Sequence, residues 1–437
     1  MRIVKLLLLL VTFQGATTSA LADEPANNAK SLFGNLQNLL VRVKAAESVT
    51  SPKSSYGTGF VIDPSGIIAT NYHVISDYVM QPGSQWKIIV ETRDNKNLEA
   101  ELVDFTVVDD LALIRVKENF PSSIKLEDRT TSVGEKTYSL GLPDDINMSI
   151  VEGVYNGVLN YGPYSLVHVT TPINAGMSGG PTVNGSGRLV GSNVSKLVLE
   201  NNVSFIVPVE RMKLLVQGTN FKGKALSKKE AQEKIYSQLE KAQEKLVASL
   251  PKYKTQTVEL WKGKSIELPE FLKCWAGGID EPQLPFVLKK RTCNLDHNVF
   301  LAESLETGTF EVEVDILDAS KINRFSVSQL MGQGSEIEEI ISKFREKKFF
   351  GDIDAREIFT PYKCERSFLK TGFLGNPKTL RSGICIRKYS KAKNLYDLAL
   401  NWYDFDGALK TRVSITHSGV SLENSRKLLA YWTERFK

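Results

Sequence analysis

Four histidines and four cysteines are all that this 437-residue chain contains, and no cysteine precedes Cys274. With none near the N-terminal leader, a bacterial lipid anchor is not expected there. Basic residues form no stripe with interleaved aromatics. Lysines and glutamates are interspersed and the formal net charge is +5, a balance that gives nucleic-acid binding no footing. The leading apolar run, "LLLLLVTF" from Leu6 to Phe13, is too short for a stable membrane span. No two cysteines stand in C-x-x-C spacing and only His297 lies near them, so a metal site is not expected. Residues 252–437 hold no phosphate-binding glycine loop, internal repeat or low-complexity tract. No cofactor is expected.

What is present begins with an export leader. Arg2 and Lys5 precede the apolar run, and "ALA" at Ala20–Ala22 sets small residues ahead of Asp23. Residues 1–22 therefore read as a signal peptide, and the mature protein is expected to be exported, periplasmic or secreted. An even cysteine count in such a protein points to disulfides. Of the three pairings that four cysteines allow, the local one is favoured: Cys274 with Cys293, and Cys364 with Cys385. Each bridge would close a loop of about twenty residues and stabilise by about 3 kcal/mol.

Residues 23–52 carry Leu32, Leu36, Leu39, Leu40 and Val43 at helix-like intervals, a lead segment expected to be helical. Over 53–218, short runs rich in Val, Ile, Leu and Thr are separated by Gly, Asn, Asp and Pro, the pattern of an all-β sandwich or barrel. Within "GFVIDPSGIIATNYHV", Asp63-Pro64-Ser65-Gly66 reads as a type I turn. In residues 219–251, Ser227 and Glu230 have the spacing of a capping box. Ala231, Ile235, Leu239, Ala242, Leu246 and Leu250 then share one helical face until Pro251. This amphipathic helical linker is expected to pack on a neighbouring domain. Residues 252–437 mix strand patterns, "TFEVEVDIL" and "KTRVSITH", with helical ones, "EIEEIISKFREKKF" and "SLENSRKLLAYWTERF". They are expected to form a separate α+β C-terminal domain.

One stretch does not fit a plain strand. "INAGMSGGPTV", residues 173–183, gathers Gly176, Gly179 and Gly180 around Ser178. Glycines in a strand mark a bulge, a tight turn or a close backbone approach. A bland turn between strands is one reading; the other is a turn that presents a hydroxyl beside backbone amides. A serine needs an adjacent base to become a nucleophile, and the base needs a carboxylate to fix its tautomer. "IIATNYHVI" offers His73. "VVDDLALIRV" offers Asp110 at the mouth of an apolar run, where a carboxylate is costly unless hydrogen-bonded. Its neighbour Asp109 is expected to be solvated, and Asp104 is a further candidate.

In this order and with these flanks, the segments resemble the trypsin-like serine peptidases of the bacterial HtrA/Deg-type branch. "GTGFVI", "TNYHVI", "DLALIRV", "VGEKTYSLGLP", "INAGMSGGP" and "SFIVPVERM" carry the resemblance, from Gly57 to Met212. It implies an all-β, chymotrypsin-like pair of six-stranded barrels with the catalytic residues in the cleft between them. It also implies Ser178 as nucleophile of a serine endopeptidase acting on polypeptide substrates. His73 would be the general base and then acid, Asp110 its orienting partner, and the amides of Gly176 and Ser178 the oxyanion hole. Activity would then rise with pH, because only neutral imidazole accepts a proton.

The sequence also departs from that branch. Met177 stands where relatives usually carry asparagine or aspartate. The base of the primary specificity pocket would fall near Pro172 and Ile173, with Val194 and Lys196 as wall. With no aspartate there, cleavage after small or medium apolar residues is expected. No PDZ-like carboxylate-binding loop follows residue 250. The resemblance ends near residue 218, and the C-terminal domain is expected to recruit substrate, restrain activity or bind a cell-envelope partner. The rival reading is a catalytically silent binding protein that keeps a protease scaffold.

Overall fold

The computed structural model describes residues 26–435 except 49–50, 52–53, 82–84, 127–130, 144–146, 162–163, 195–202, 296, 304, 324–325, 328–348, 351–352, 355–357, 372–377 and 405–408. The expected leader at 1–22, Lys196 and most of the expected helix "EIEEIISKFREKKF" lie outside the described residues. After helix α1 (Ala26–Leu36), six strands close a first barrel: β1 (Leu40–Ala46), β2 (Ser54–Asp63), β3 (Ile67–Thr70), β4 (Lys87–Glu91), β5 (Asn97–Thr106) and β6 (Leu111–Arg115). Helix α2 (Tyr72–Met80) follows β3 directly. A second barrel comprises β7 (Lys136–Gly141), β8 (Ser149–Tyr161), β9 (Tyr164–Val169), β10 (Pro181–Asn184), β11 (Leu189–Val194) and β12 (Ser204–Pro208). The double barrel agrees with the sequence expectation.

Leu40–Ala46 differs from expectation. Rather than prolonging the lead helix, it is β1, paired with β2 and β4, so the first barrel begins before residue 53. Val41, Val43 and Ala45 are buried at every second position, the period of a strand. Leu36, Leu39, Leu40 and Val43 satisfy a helical spacing by coincidence. The Asp63–Gly66 turn forms as expected: the Gly66 amide donates to Asp63 O at 3.1 Å.

Helices α3 (Val209–Gln217) and α4 (Lys228–Ser249) lead out of the second barrel. The capping box of α4 is present, with Ser227 and Glu230 bonded reciprocally. Its apolar face, including Ile235, Leu239 and Leu246, is buried. This face explains why a 22-residue helix persists between two domains: tertiary packing, more than propensity, holds it. Gln238 bonds both the Val107 amide and the Phe105 carbonyl of the first barrel, each at 2.8 Å. Asn394 of the C-terminal domain donates to Glu240 at 3.1 Å. The helix is thus a shared spine.

The C-terminal domain opens with the hairpin of β13 (Thr255–Trp261) and β14 (Lys264–Pro269). Its centre is a seven-stranded antiparallel sheet of β15 (Lys273–Ile279), β16 (Val287–Asn294), β19 (Phe310–Asp318), β25 (Leu409–Val420), β24 (Tyr396–Asp404), β23 (Lys378–Lys388) and β22 (Lys363–Thr371), in that spatial order. A small hairpin, β17 (Val299–Ala302) and β18 (Leu305–Thr307), stands apart from it, as does the short pair β20 (Phe349–Phe350) and β21 (Ile353–Asp354). Helix α5 (Leu422–Arg435) closes the chain. Both disulfides have the local pairing, Cys274–Cys293 and Cys364–Cys385. Each joins directly opposed residues of an outer strand and its neighbour. The sheet is therefore stapled at both edges, where strands are most prone to fray or pair with another chain. Such bridges suit an oxidising compartment. No described helix is long and apolar enough to cross a membrane.

His417 on β25 lies in the domain core. Trp432 of α5 donates to its Nε2 at 2.8 Å, and Phe310 packs against the ring at 4.3 Å. Burial drives its pKa from 6.5 down to about 3. Between those values the unfolded chain takes up a proton that the folded protein does not. The contribution is complete above pH 6.5 and falls as pH drops toward 3. Urea unfolding followed by tryptophan fluorescence should show this decline, and His417→Gln should flatten it while lowering stability at neutral pH.

Candidate functional site

β3 ends at the junction of the two barrels, and His73 is the second residue of the helix that follows. Asp110 precedes β6 with φ of 51°, a left-handed conformation that aspartate tolerates better than most residues. That turn aims its carboxylate at α2. Oδ1 accepts the His73 backbone N–H at 2.9 Å, and Oδ2 meets His73 Nδ1 at 2.6 Å. A carboxylate can only accept, so the proton sits on Nδ1 and Nε2 is left as the basic nitrogen. Asn71 Nδ2 donates to the Asp110 carbonyl at 2.6 Å. Both ends of Asp110 are thus fixed to one helical start.

Ser178 sits in the turn before β10 and is 3 % exposed. Its carbonyl accepts from the Thr58 amide of β2 at 2.8 Å. Thr58 Oγ1 donates to the Gly176 carbonyl at 2.7 Å and accepts from the Leu142 amide at 2.8 Å. Gly179 has φ of 81°, and a Cβ there would lie 2.3 Å from the Thr58 carbonyl and 2.8 Å from the Asn71 amide. No side chain fits, which is why this turn needs glycine. Gly179 therefore abuts the residue that starts α2, and Ser178 and His73 arrive at one junction from different barrels.

Met177 anchors the turn before Ser178 by an apolar side chain. It is fully buried in a cluster with Ile173, Val167, Val169, Val190 and Ile206, while its amide donates to Asn174 O at 3.0 Å. Asn193 holds the other side, bonding the carbonyls of Leu140 at 2.9 Å and Met177 at 3.3 Å. Of the expected pocket residues, Val194 lines a cavity beside His73. Ile173 belongs to the Met177 cluster and Pro172 faces solvent.

Asp109 is half-buried, not solvated, and lies 3.5 Å from Arg211. Burial raises its pKa, and Arg211 partly offsets that rise. Asp104 faces away from His73, bonding Lys234 of α4 and Thr219. Tyr164, stacked on His297 of the C-terminal domain at 4.2 Å, has its hydroxyl pushed up to about 12 by burial and then by the Asp109 charge. Sequence reading did not single out Thr58, Asn71 or Asn193. Thr58 lay within "GTGFVI", but its partners across the barrels, Leu142, Gly176 and Ser178, lie more than eighty positions away.

With this geometry in hand, residues 57–191 match the family described as "Trypsin-like peptidase domain". That segment is a trypsin-like peptidase domain. The chain is similar to "Putative protease Do-like 14" of Arabidopsis thaliana, 26% identical over 39% of this chain and 43% of that protein. It is similar to "Serine protease HTRA4" of Mus musculus, 29% identical over 39% and 36% of the respective chains. It also resembles "Probable periplasmic serine endoprotease DegP-like" of Pseudomonas fluorescens, 27% identical over 45% and 44%. The match spans less than half the length of each of these relatives.

Thr58→Val keeps the side-chain shape but leaves the Gly176 carbonyl and Leu142 amide without their buried partner. We expect a loss of about 1–3 kcal/mol in denaturant unfolding of the peptidase domain.

Proposed function

We propose that the protein is an exported, periplasmic or secreted serine endopeptidase that cleaves polypeptides through an acyl-enzyme. The observation that carries this reading is the pair of hydrogen bonds from Asp110 to the amide and Nδ1 of His73. They leave Nε2 as a base at the junction where Ser178 arrives. In the proposed reaction, Ser178 Oγ attacks the scissile carbonyl as His73 takes its proton. His73 then protonates the leaving amine, and Asp110 stabilises the transient imidazolium. The amides of Gly176 and Ser178 receive the oxyanion, each such donor contributing about 2.7–4 kcal/mol in the transition state. Thr58 and Asn174 support this role by fixing the peptide between Gly176 and Met177. The export reading is supported by the two disulfides and by the leader-like residues 1–22.

A catalytically silent scaffold is the second reading, favoured by the slight exposure of Ser178 and His73, 3 % and 8 %. A fluorophosphonate probe separates the two, since only an activated serine labels. Labelling of the wild type, abolished in Ser178→Ala and slowed about 10⁴-fold in Asp110→Asn, is the expected result. Folded wild-type protein that stays unlabelled would establish the silent reading.

Substrate choice is a distinct proposal. Val194 presents an apolar wall beside His73, so the residue before the cleaved bond should be small or medium and apolar. Profiling with a peptide library checks this; a clear preference for Lys or Arg would refute it.

A further inference from the structure

A cavity of about 110 Å³ adjoins His73 and Asp110, and the peptidase barrels supply only part of its wall. Leu166, Val194 and Val207 come from the second barrel and Val107 from the first, while His297 and Phe300 come from the C-terminal domain. The Phe300 ring stands edge-on to the His73 imidazole, with centroids 5.9 Å apart. Its hairpin and the residue His297 leading into it are anchored to the two barrels. Tyr72, next to His73, donates its hydroxyl to the Leu301 carbonyl at 3.1 Å, and His297 stacks on Tyr164 of the second barrel. Nothing in the quoted peptidase motifs foretells such a contribution.

We infer that Phe300 and its hairpin complete a substrate subsite beside His73 that takes an apolar side chain of the polypeptide, making the C-terminal domain a determinant of specificity. The inference rests on the peptidase reading. The chemistry of the wall selects the occupant. Phe300 and five aliphatic side chains line the space, so a side chain placed there gains from leaving water. The lining acids are already engaged: Asp110 with His73, Asp109 with Arg211 and Thr106, and Glu306 with Asn298 at 3.1 Å. A lysine or arginine would have to compete for them. Anchoring through Tyr72 and Tyr164 also keeps the wall in register with His73, as a subsite requires.

The test uses the full chain and an internally quenched peptide library varied over the four residues before the cleaved bond. Phe300→Ala should raise KM about tenfold or more for peptides with a leucine that reaches the cavity. Peptides with alanine at that position should be affected far less. Phe300→Leu should restore most of the loss, and Phe300→Trp should reject the same leucine by filling the space. Equal gains in labelling and in hydrolysis of every peptide in Phe300→Ala would overturn the inference, because the hairpin would then be a barrier. Unchanged selectivity in all three variants would overturn it as well. Should the wild type not label, the peptidase reading fails separately. The subsite is then judged by anisotropy of fluorescein-labelled, leucine-scanned peptides on Ser178→Ala protein, and equal affinity with and without Phe300→Ala overturns it.

Discussion

Thr58 ties the two barrels together at the point where the candidate chemistry converges. Its amide holds the Ser178 carbonyl, its hydroxyl bridges Gly176 and Leu142, and its own carbonyl accepts from Thr70 Oγ1 at 2.8 Å. Two barrels joined only by one stretch of chain could slide past one another. A fully buried threonine with every polar atom bonded denies them that freedom, since moving would leave several groups unsatisfied out of water. The demand for close approach then propagates outward. Gly179 has no room for a Cβ, and Asn193 must reach across to Leu140 and Met177.

Against this frame, the unusual Met177 becomes intelligible. The turn before Ser178 needs an anchor on the second barrel, and a polar side chain there would need its own buried partner. Met177 instead fills an apolar pocket with Ile173 and Ile206, and thioethers adapt well to irregular packing. Backbone groups carry the polar side of the work: Met177 N to Asn174 O, and Met177 O to Asn193 Nδ2. The same fact explains why Ile173, expected at the pocket base, turns into the core. Its partner in packing is Met177.

The parts of the fold legible in the sequence were those with local chemistry. Three glycines around one serine, a histidine after an apolar strand and a carboxylate before another are unusual in a chain with so few histidines. The Ser227–Glu230 capping box and the two local disulfides were likewise readable, because their partners are near in sequence. What stayed hidden depends on distant partners. Asp109 reads as solvated until Arg211, folded back from α3, lies beside it. Leu40–Ala46 fits two periodicities, and only pairing with β2 and β4 selects the strand. The hairpin carrying Phe300 gives no signal at all, since its place beside His73 comes from docking on Tyr72 and, through the preceding His297, on Tyr164.

That docking bears on how the two halves work as one molecule. Helix α4 bonds the first barrel through Gln238 and the C-terminal domain through Glu240, while the β17–β18 hairpin and the preceding His297 contact the two barrels. Two separated attachments fix orientation where one would leave a hinge. The stapled sheet behind the hairpin adds stiffness, since its two edges are covalently closed. A tethered recognition module would need neither the second attachment nor such rigidity. A wall that must stand at a set distance from His73 needs both, because a subsite loses discrimination once its supporting shell can shift by about an ångström.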